Sequence, residues 1–188
     1  MILLRHGQTV FNLHFGKNKF DPGIPDPALT EVGREQAANA ANLLALKPIS
    51  RIITSPYTRA IETALIVADR LGLDVHVDAC VRELAGFSCD IGSSPNDLAT
   101  RWPNLDFSSL LPNWWAFPGD PKNSGLDEPE SNLFARVSEF RKRLAAESDW
   151  NETLVVCHWG TIRVMSGQLL KNGEFVKHDP RPTINPPT

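Results

Sequence analysis

Short runs of β-branched and aliphatic residues alternate along this chain with longer segments of helical period. Parallel strands need a crossover between them, so the alternation specifies an α/β layered fold around a mainly parallel sheet. The strands read from the sequence are Ile2 to Leu4, Ile52 to Thr54, Val75 to Val77 and Leu154 to Cys157, with a weaker one around Phe175-Val176. The helices run from about Thr30 to Leu46, Pro56 to Leu71, Glu130 to Glu147 and Thr161 to Leu170.

The helix at Pro56 carries the strongest local signals. Ser55 suits the N-cap and Pro56 the first helical position, where a missing N–H is no loss. Ala60, Ala64, Val67 and Leu71 form an apolar stripe, and Gly72 ends it. The Glu130 helix repeats the pattern with Phe134, Val137, Phe140 and Leu144, which places Arg141, Lys142 and Arg143 mostly on its solvated side.

Between about residues 86 and 129 six prolines break any long element, while Trp102, Phe107, Trp114, Trp115 and Phe117 supply large apolar bodies. Disordered segments are poor in aromatics, so this stretch reads as an ordered insertion. Within it, Ser93-Ser94 suits the cap of a short helix through Arg101. The proline-rich tail, about 179–188, reads as extended over the surface or frayed. With 188 residues and 41% hydrophobic content, the whole chain reads as a single domain.

A net charge of −3 with no basic run gives no footprint for nucleic acid. Cys80, Cys89 and Cys157 include no CxxC pair, which argues against a disulfide framework or thiolate zinc site. No apolar run reaches membrane-spanning length, and the start lacks a basic segment leading into a signal-length apolar stretch. A cytoplasmic, reducing setting is the expectation.

Three clusters of chemically active residues fall where a strand hands over to a turn or helix. They are Arg5-His6-Gly7, Ser55-Pro56-Tyr57-Thr58-Arg59 and Cys157-His158-Trp159-Gly160-Thr161. In open parallel sheets such carboxyl ends converge on the ligand crevice. Two guanidinium groups and two imidazoles gathered there suit a tetrahedral dianion. A metal site from His6, His14 and His158 is disfavoured, because no HxH or HxxxH pair supports it and neighbouring arginines repel a cation.

With these residues in view, the chain resembles the histidine phosphatase superfamily, in its phosphoglycerate-mutase-like branch 1. The likeness rests on Leu4-Arg5-His6-Gly7-Gln8-Thr9 with Asn12, Leu29-Thr30 with Gly33 and Gln36-Ala37, Thr54-Ser55-Pro56 with Arg59-Ala60 and Glu62-Thr63-Ala64, Arg82-Glu83-Leu84, and His158 with Gly160. It implies a three-layer α/β/α sandwich and a phosphomonoesterase of the acid-phosphatase type, acting on a small phosphorylated metabolite without metal or cofactor. By the same resemblance His6 is the nucleophile that becomes phosphohistidine, and a backbone carbonyl in the Gly7 turn fixes its ring. Arg5, Asn12, Arg59 and His158 hold the phosphate oxygens, and Glu83 is the general acid. Cations near His6 favour its neutral ring, whereas burial or an anionic substrate raises the Glu83 pKa.

Two other functions stay open: a phosphoglycerate mutase, and a non-catalytic phosphate-binding module on the same fold. The mutase is disfavoured because Glu83 is followed by Leu84-Ala85-Gly86-Phe87, without the Arg-His-Tyr-Gly stretch of true mutases. The partners implied are a small phosphate ester and neither nucleic acid nor membrane, with a homodimer left open. Gln8 stands where many relatives carry Glu, and Trp159 where a second glycine is frequent. Trp159 either narrows the cleft, stacks on a substrate or packs in the core, and Trp114 and Trp115 either wall the leaving-group side or hold the insertion down. Cys89-Asp90 carries no chemical assignment.

Overall fold

The computed structural model describes residues 1–117 and 126–182, so Pro118, Pro121 and the tail beyond 182 lie outside the described residues. The elements in chain order are β1 (Ile2–Arg5), α1 (Val10–Asn18), α2 (Glu31–Leu44), β2 (Arg51–Thr54), α3 (Thr58–Leu71), β3 (Val75–Val77), α4 (Pro95–Arg101), α5 (Glu130–Ala145), β4 (Thr153–Cys157), α6 (Trp159–Ser166) and β5 (Phe175–Lys177). The five strands form one sheet in the order β3-β2-β4-β1-β5. All neighbours pair in parallel except β5, which runs antiparallel along β1 at the edge.

Period-2 alternation sorts the strand side chains into two cores. Ile2, Leu4, Ile52, Leu154 and Val156 face Ala40, Ala41 and Leu44 of α2 and Ala60, Ala64 and Val67 of α3. Leu3, Ile53, Val155 and Cys157 face Leu133, Val137, Phe140 and Leu144 of α5 and Ile162 and Met165 of α6. Helices therefore cover both faces, in three layers. Each large aliphatic or aromatic side chain buried this way contributes about 1.5–3 kcal/mol.

The boundaries differ from the sequence expectation in informative places. Helix α3 starts at Thr58, not Pro56, because Ser55 continues the extended chain and spends its hydroxyl on His158. The Thr58 N–H, a first-turn donor, goes instead to Asp26 Oδ1 at 2.8 Å, supplied from a distant loop. Helix α6 begins earlier, at Trp159, and stops at Gly167 in the left-handed conformation. In α5 it is Leu133 rather than Phe134 that heads the buried stripe. Arg141 is buried rather than solvated, and its guanidinium donates to the carbonyls of Pro180 and Pro182, which ties down the start of the tail. Ser94 caps α4 as its sequence suggests.

The described part of the insertion packs through a cluster of its own. Leu98, Phe107 and Trp114 bury themselves against Tyr57 and Ile61. Trp114 meets Tyr57 edge-on at 4.7 Å, and its indole N–H donates to Ser93 O at 2.9 Å. Trp114 thus holds the insertion down, one of the two roles its sequence allows.

Behind the first strand, two backbone segments approach so closely that neither tolerates a Cβ. A methyl on Gly7 would collide with the Gly33 carbonyl, and one on Gly33 with the Gln8 carbonyl. This seam places the turn after β1 against the start of α2, where Thr30 caps the helix and also bonds Gln8. Gly33→Ala should cost about 1–3 kcal/mol or more, as overpacking against backbone does. Gly16→Ala, mid-α1 with open space around it, should instead be neutral or stabilise by about 0.5–1 kcal/mol. Urea denaturation of the two variants checks both signs.

Candidate active site

The carboxyl ends of β1, β2 and β4 surround a cavity of about 290 Å³, lined by Arg5, His6, Asn12, Arg59 and Glu83 among others. The sheet ladder sets the spacing of the two imidazoles. Arg5 pairs with Cys157 at the last register position, and the His6 N–H donates to Cys157 O at 3.1 Å. His6 and His158 each follow directly, and their ring centroids lie 5.2 Å apart.

His6 is almost fully buried, with Nδ1 2.7 Å from Gly7 O. A carbonyl only accepts, so the proton sits on Nδ1 and Nε2 carries the free lone pair. Burial first, then the charges of Arg59 and Arg5, hold its pKa well below the usual histidine range, against the opposing Gly7 bond. The ring is therefore neutral at neutral pH.

Arg59 lies buried beneath the cavity with every arm engaged. Nη1 donates to Cys89 O at 2.6 Å, Nη2 to Asp90 Oδ1 at 3.0 Å, and Nε to His158 Nδ1 at 3.4 Å. The guanidinium also stacks 4.2 Å from the Tyr57 ring centroid. Asp90 accepts from the Gly86 and Phe87 N–H groups as well, at 3.2 and 3.1 Å. This carboxylate is the site residue that sequence reasoning missed. A lone Asp in a loop gives no signal, and only its burial beside Arg59 reveals its part.

His158 is fully buried behind Arg59. Its Nε2 contacts Ser55 Oγ at 2.8 Å while Nδ1 accepts from Arg59, which assigns the proton to Nε2. Burial, then Arg59 and His6, push its pKa well down. Arg5 donates from Nη1 to Leu170 O at 2.7 Å, and its Nε is buried with no partner among the described residues. Asn12 uses its side-chain oxygen for the Thr9 N–H in a reciprocal capping box that starts α1. That Thr9-x-x-Asn12 spacing is the signal by which α1 could have been read. His14 sits on the exposed side of α1, away from both other histidines. Among the described residues no cluster of His, Cys, Asp and Glu is placed to hold a metal ion.

Glu83 is held at the N-terminus of α6. Both of its oxygens lie 3.0 Å from the Gly160 N–H, and Oε1 also accepts from the Leu84 N–H at 2.8 Å. A Cβ at Gly160 would collide with Oε1, so the glycine makes room for the carboxyl. Burial and Asp90 raise the Glu83 pKa, against the pull of the two N–H groups and Arg59. Its backbone is fixed from behind. Arg136 donates to Glu83 O at 2.8 Å and to Arg82 O, and with Arg82 it shares the buried carboxylate of Glu128.

The outer wall consists of Phe11 and Phe15 from α1, Leu84, Phe87 and Trp159. Trp159 is 40% exposed, so it borders the cleft and is not a core residue. Of the described part of the insertion, Gly86, Phe87, Cys89 and Asp90 reach the cavity, while Trp114 and Trp115 do not line it.

Two guanidinium groups, two neutral imidazoles and a carboxyl thus gather at the carboxyl end of a parallel sheet, where open α/β sheets hold their ligands. The family model described as the histidine phosphatase superfamily (branch 1) matches residues 1–180, and the chain belongs to that family. It is 28% identical over 180 residues to the glucosyl-3-phosphoglycerate phosphatase of Mycobacterium tuberculosis, covering 91% of this chain and 75% of that one. It is 31% identical over 177 residues to the bifunctional protein Rv2228c of the same organism, covering 94% of this chain but only 45% of that protein. The solved structure of mycobacterial glucosyl-3-phosphoglycerate phosphatase in complex with VO3 superposes with a TM-score of 0.64 at 25% identity, over 93% of this chain and 88% of that one. No helix among the described residues is long and apolar enough to cross a membrane.

The depressed histidines make folding stability depend on pH. An unfolded histidine takes up its proton near pH 6.5, whereas His6 and His158 stay neutral well below that while folded. The unfolded state therefore binds more protons in this window, and stability falls as pH drops below about 6.5 toward the folded values. Glu83, shifted upward, works in the opposite direction above its ordinary 4.5, so the Glu83→Gln background removes that opposing contribution and leaves the imidazoles with the lowered Met1 amino group. In that background the urea midpoint should decline from pH 7 to pH 5, and adding His158→Gln should flatten the decline.

Proposed function

We propose that this chain is a phosphomonoesterase that hydrolyses a small phosphorylated metabolite through a phosphohistidine on His6. The observation that carries this reading is the bond between His6 Nδ1 and Gly7 O, which leaves a neutral ring with Nε2 as its free lone pair in a cavity lined by two guanidinium groups. A phosphate monoester entering the cavity meets Arg5, which lines it, and Arg59 beneath it. Asn12 adds its amide N–H groups, since only its oxygen is committed to the cap. His158 acts through Arg59: it accepts the Nε–H on Nδ1 and so holds the guanidinium toward the anion.

In the first half-reaction Nε2 of His6 bonds to phosphorus as the bond to the ester oxygen breaks, and Glu83 gives that oxygen its proton. The raised pKa of Glu83 keeps the acid form available. In the second half-reaction water attacks the phosphohistidine, Glu83 takes the proton, and phosphate leaves with neutral His6 restored. The developing charge is met by guanidinium and imidazole groups already in position, so the scheme calls for no metal ion. The M. tuberculosis relative, a phosphatase of glucosyl-3-phosphoglycerate, supports hydrolysis over mutase chemistry.

His6→Ala should abolish turnover of p-nitrophenyl phosphate together with the acid-labile phosphoenzyme trapped by acid quench, and retained turnover refutes the nucleophile. Glu83→Gln should slow phosphoenzyme formation, read in single-turnover experiments, by about 10²–10⁴-fold for alkyl phosphates while sparing it for p-nitrophenyl phosphate, whose leaving group needs little protonation. Equal losses on both substrates refute Glu83 as the acid.

A further inference from the structure

Among the described residues, the cavity beyond the phosphate-facing groups keeps few free polar atoms, chiefly the Trp159 indole N–H and the Thr9 hydroxyl proton. Thr9 accepts from the Asn12 N–H, the Cys89 carbonyl is taken by Arg59, and Asp90 is spent on Arg59, Gly86 and Phe87. The N–H groups of Leu84 and Gly160 are committed to Glu83. A sugar or glycerate leaving group would therefore bury hydroxyls without partners, which costs free energy for each one left unpaired.

What the outer cavity does offer is aromatic. Phe11 and Phe15, one turn apart on α1, stack at 5.4 Å, and Phe87 sits edge-on to Phe15 at 5.0 Å. Across from them is Trp159. Phe87 and Trp159 remain 44% and 40% exposed even though they line a cavity, so each has ring surface available for an apolar ligand to cover. Phe87 is positioned through its own N–H on Asp90, the carboxylate that also pairs with Arg59, so the apolar wall is anchored to the phosphate floor.

We infer that the site selects phosphomonoesters of apolar alcohols, aromatic or long-alkyl, over phosphorylated sugars and glycerates. This rests on the phosphatase reading above for its catalytic arm, while a binding arm tests it separately. The apolar alcohol fills the space between Phe15, Phe87 and Trp159, and the phosphate lies inward on Arg5 and Arg59.

The test compares kcat/KM for benzyl phosphate and glycerol 3-phosphate, two esters of unactivated primary alcohols. Benzyl phosphate should be favoured tenfold or more, chiefly through KM, as expected for burying one aromatic ring. Phe87→Ala should cut that ratio about tenfold, and Phe87→Leu should restore part of it. Phe20→Ala, an exposed phenylalanine outside the cavity, should leave the ratio unchanged. A ratio near one, or a preference for glycerol 3-phosphate, overturns the inference. Calorimetry on the wild-type protein with benzylphosphonate and 2-hydroxyethylphosphonate reads the same preference without turnover. Tighter binding of the benzyl compound supports the apolar site even if no ester is hydrolysed, a result that would refute the phosphatase reading alone. Equal affinities overturn the apolar site whatever the catalysis.

Discussion

A buried guanidinium costs several kcal/mol of desolvation unless its surroundings return it, and the centre of this molecule is organised around returning it to Arg59. Asp90 supplies the opposite charge, the Cys89 carbonyl and His158 accept its other protons, and the Tyr57 ring covers its face. Each partner carries a consequence elsewhere. Asp90 fixes the Phe87 turn, and His158 draws Ser55 out of the helix it would otherwise cap. Tyr57, whose hydroxyl donates to Asp90 O at 2.7 Å, anchors the insertion through Trp114. The same positive charge lowers the pKa of both imidazoles.

A second buried network does for the carboxyl what this one does for the cation. Glu128 lies between Arg82 and Arg136; Arg136 grips the carbonyls of Arg82 and Glu83, while Arg82 reaches the Trp114 carbonyl in the insertion. Burial alone would raise the Glu128 pKa, but Arg136 and Arg82 outweigh it and keep the carboxylate charged. Glu83, whose backbone Arg136 also holds, goes the opposite way because burial and the Asp90 carboxylate outweigh the two N–H donors and Arg59. Two acids close in space thus take opposite protonation tendencies from their surroundings.

The sheet, its order of helices and the clustering at strand ends were legible because they follow from periodicity and from where apolar runs stop. Leu3 and Leu4, or Val155 and Val156, point to opposite layers for no reason beyond the pleat. Hidden from the sequence were partnerships between distant residues. Asp26 replaces Ser55 at the start of α3, and Arg141 turns inward to meet the tail carbonyls. Asp90 faces Arg59 across an interval that no local pattern spans. Helix α1 went unread because its Phe11 and Phe15 border the cavity, which leaves too weak a stripe to mark a packed face.

The ladder between β1 and β4 sets the distance between the two imidazoles, because each histidine is the first residue past a paired strand end. Loops drift readily in sequence, whereas a register of this kind shifts only by whole residues, and a single step would turn every side chain of the strand to the wrong layer. The end of the cavity that carries Arg5 and His6 is therefore held by the sheet register, as a fixed jig. The aromatic wall hangs from α1 and a turn and is free to be rebuilt. On the reading proposed above, replacing a few of those rings would change the alcohol accepted while the register and the groups it positions stay in place.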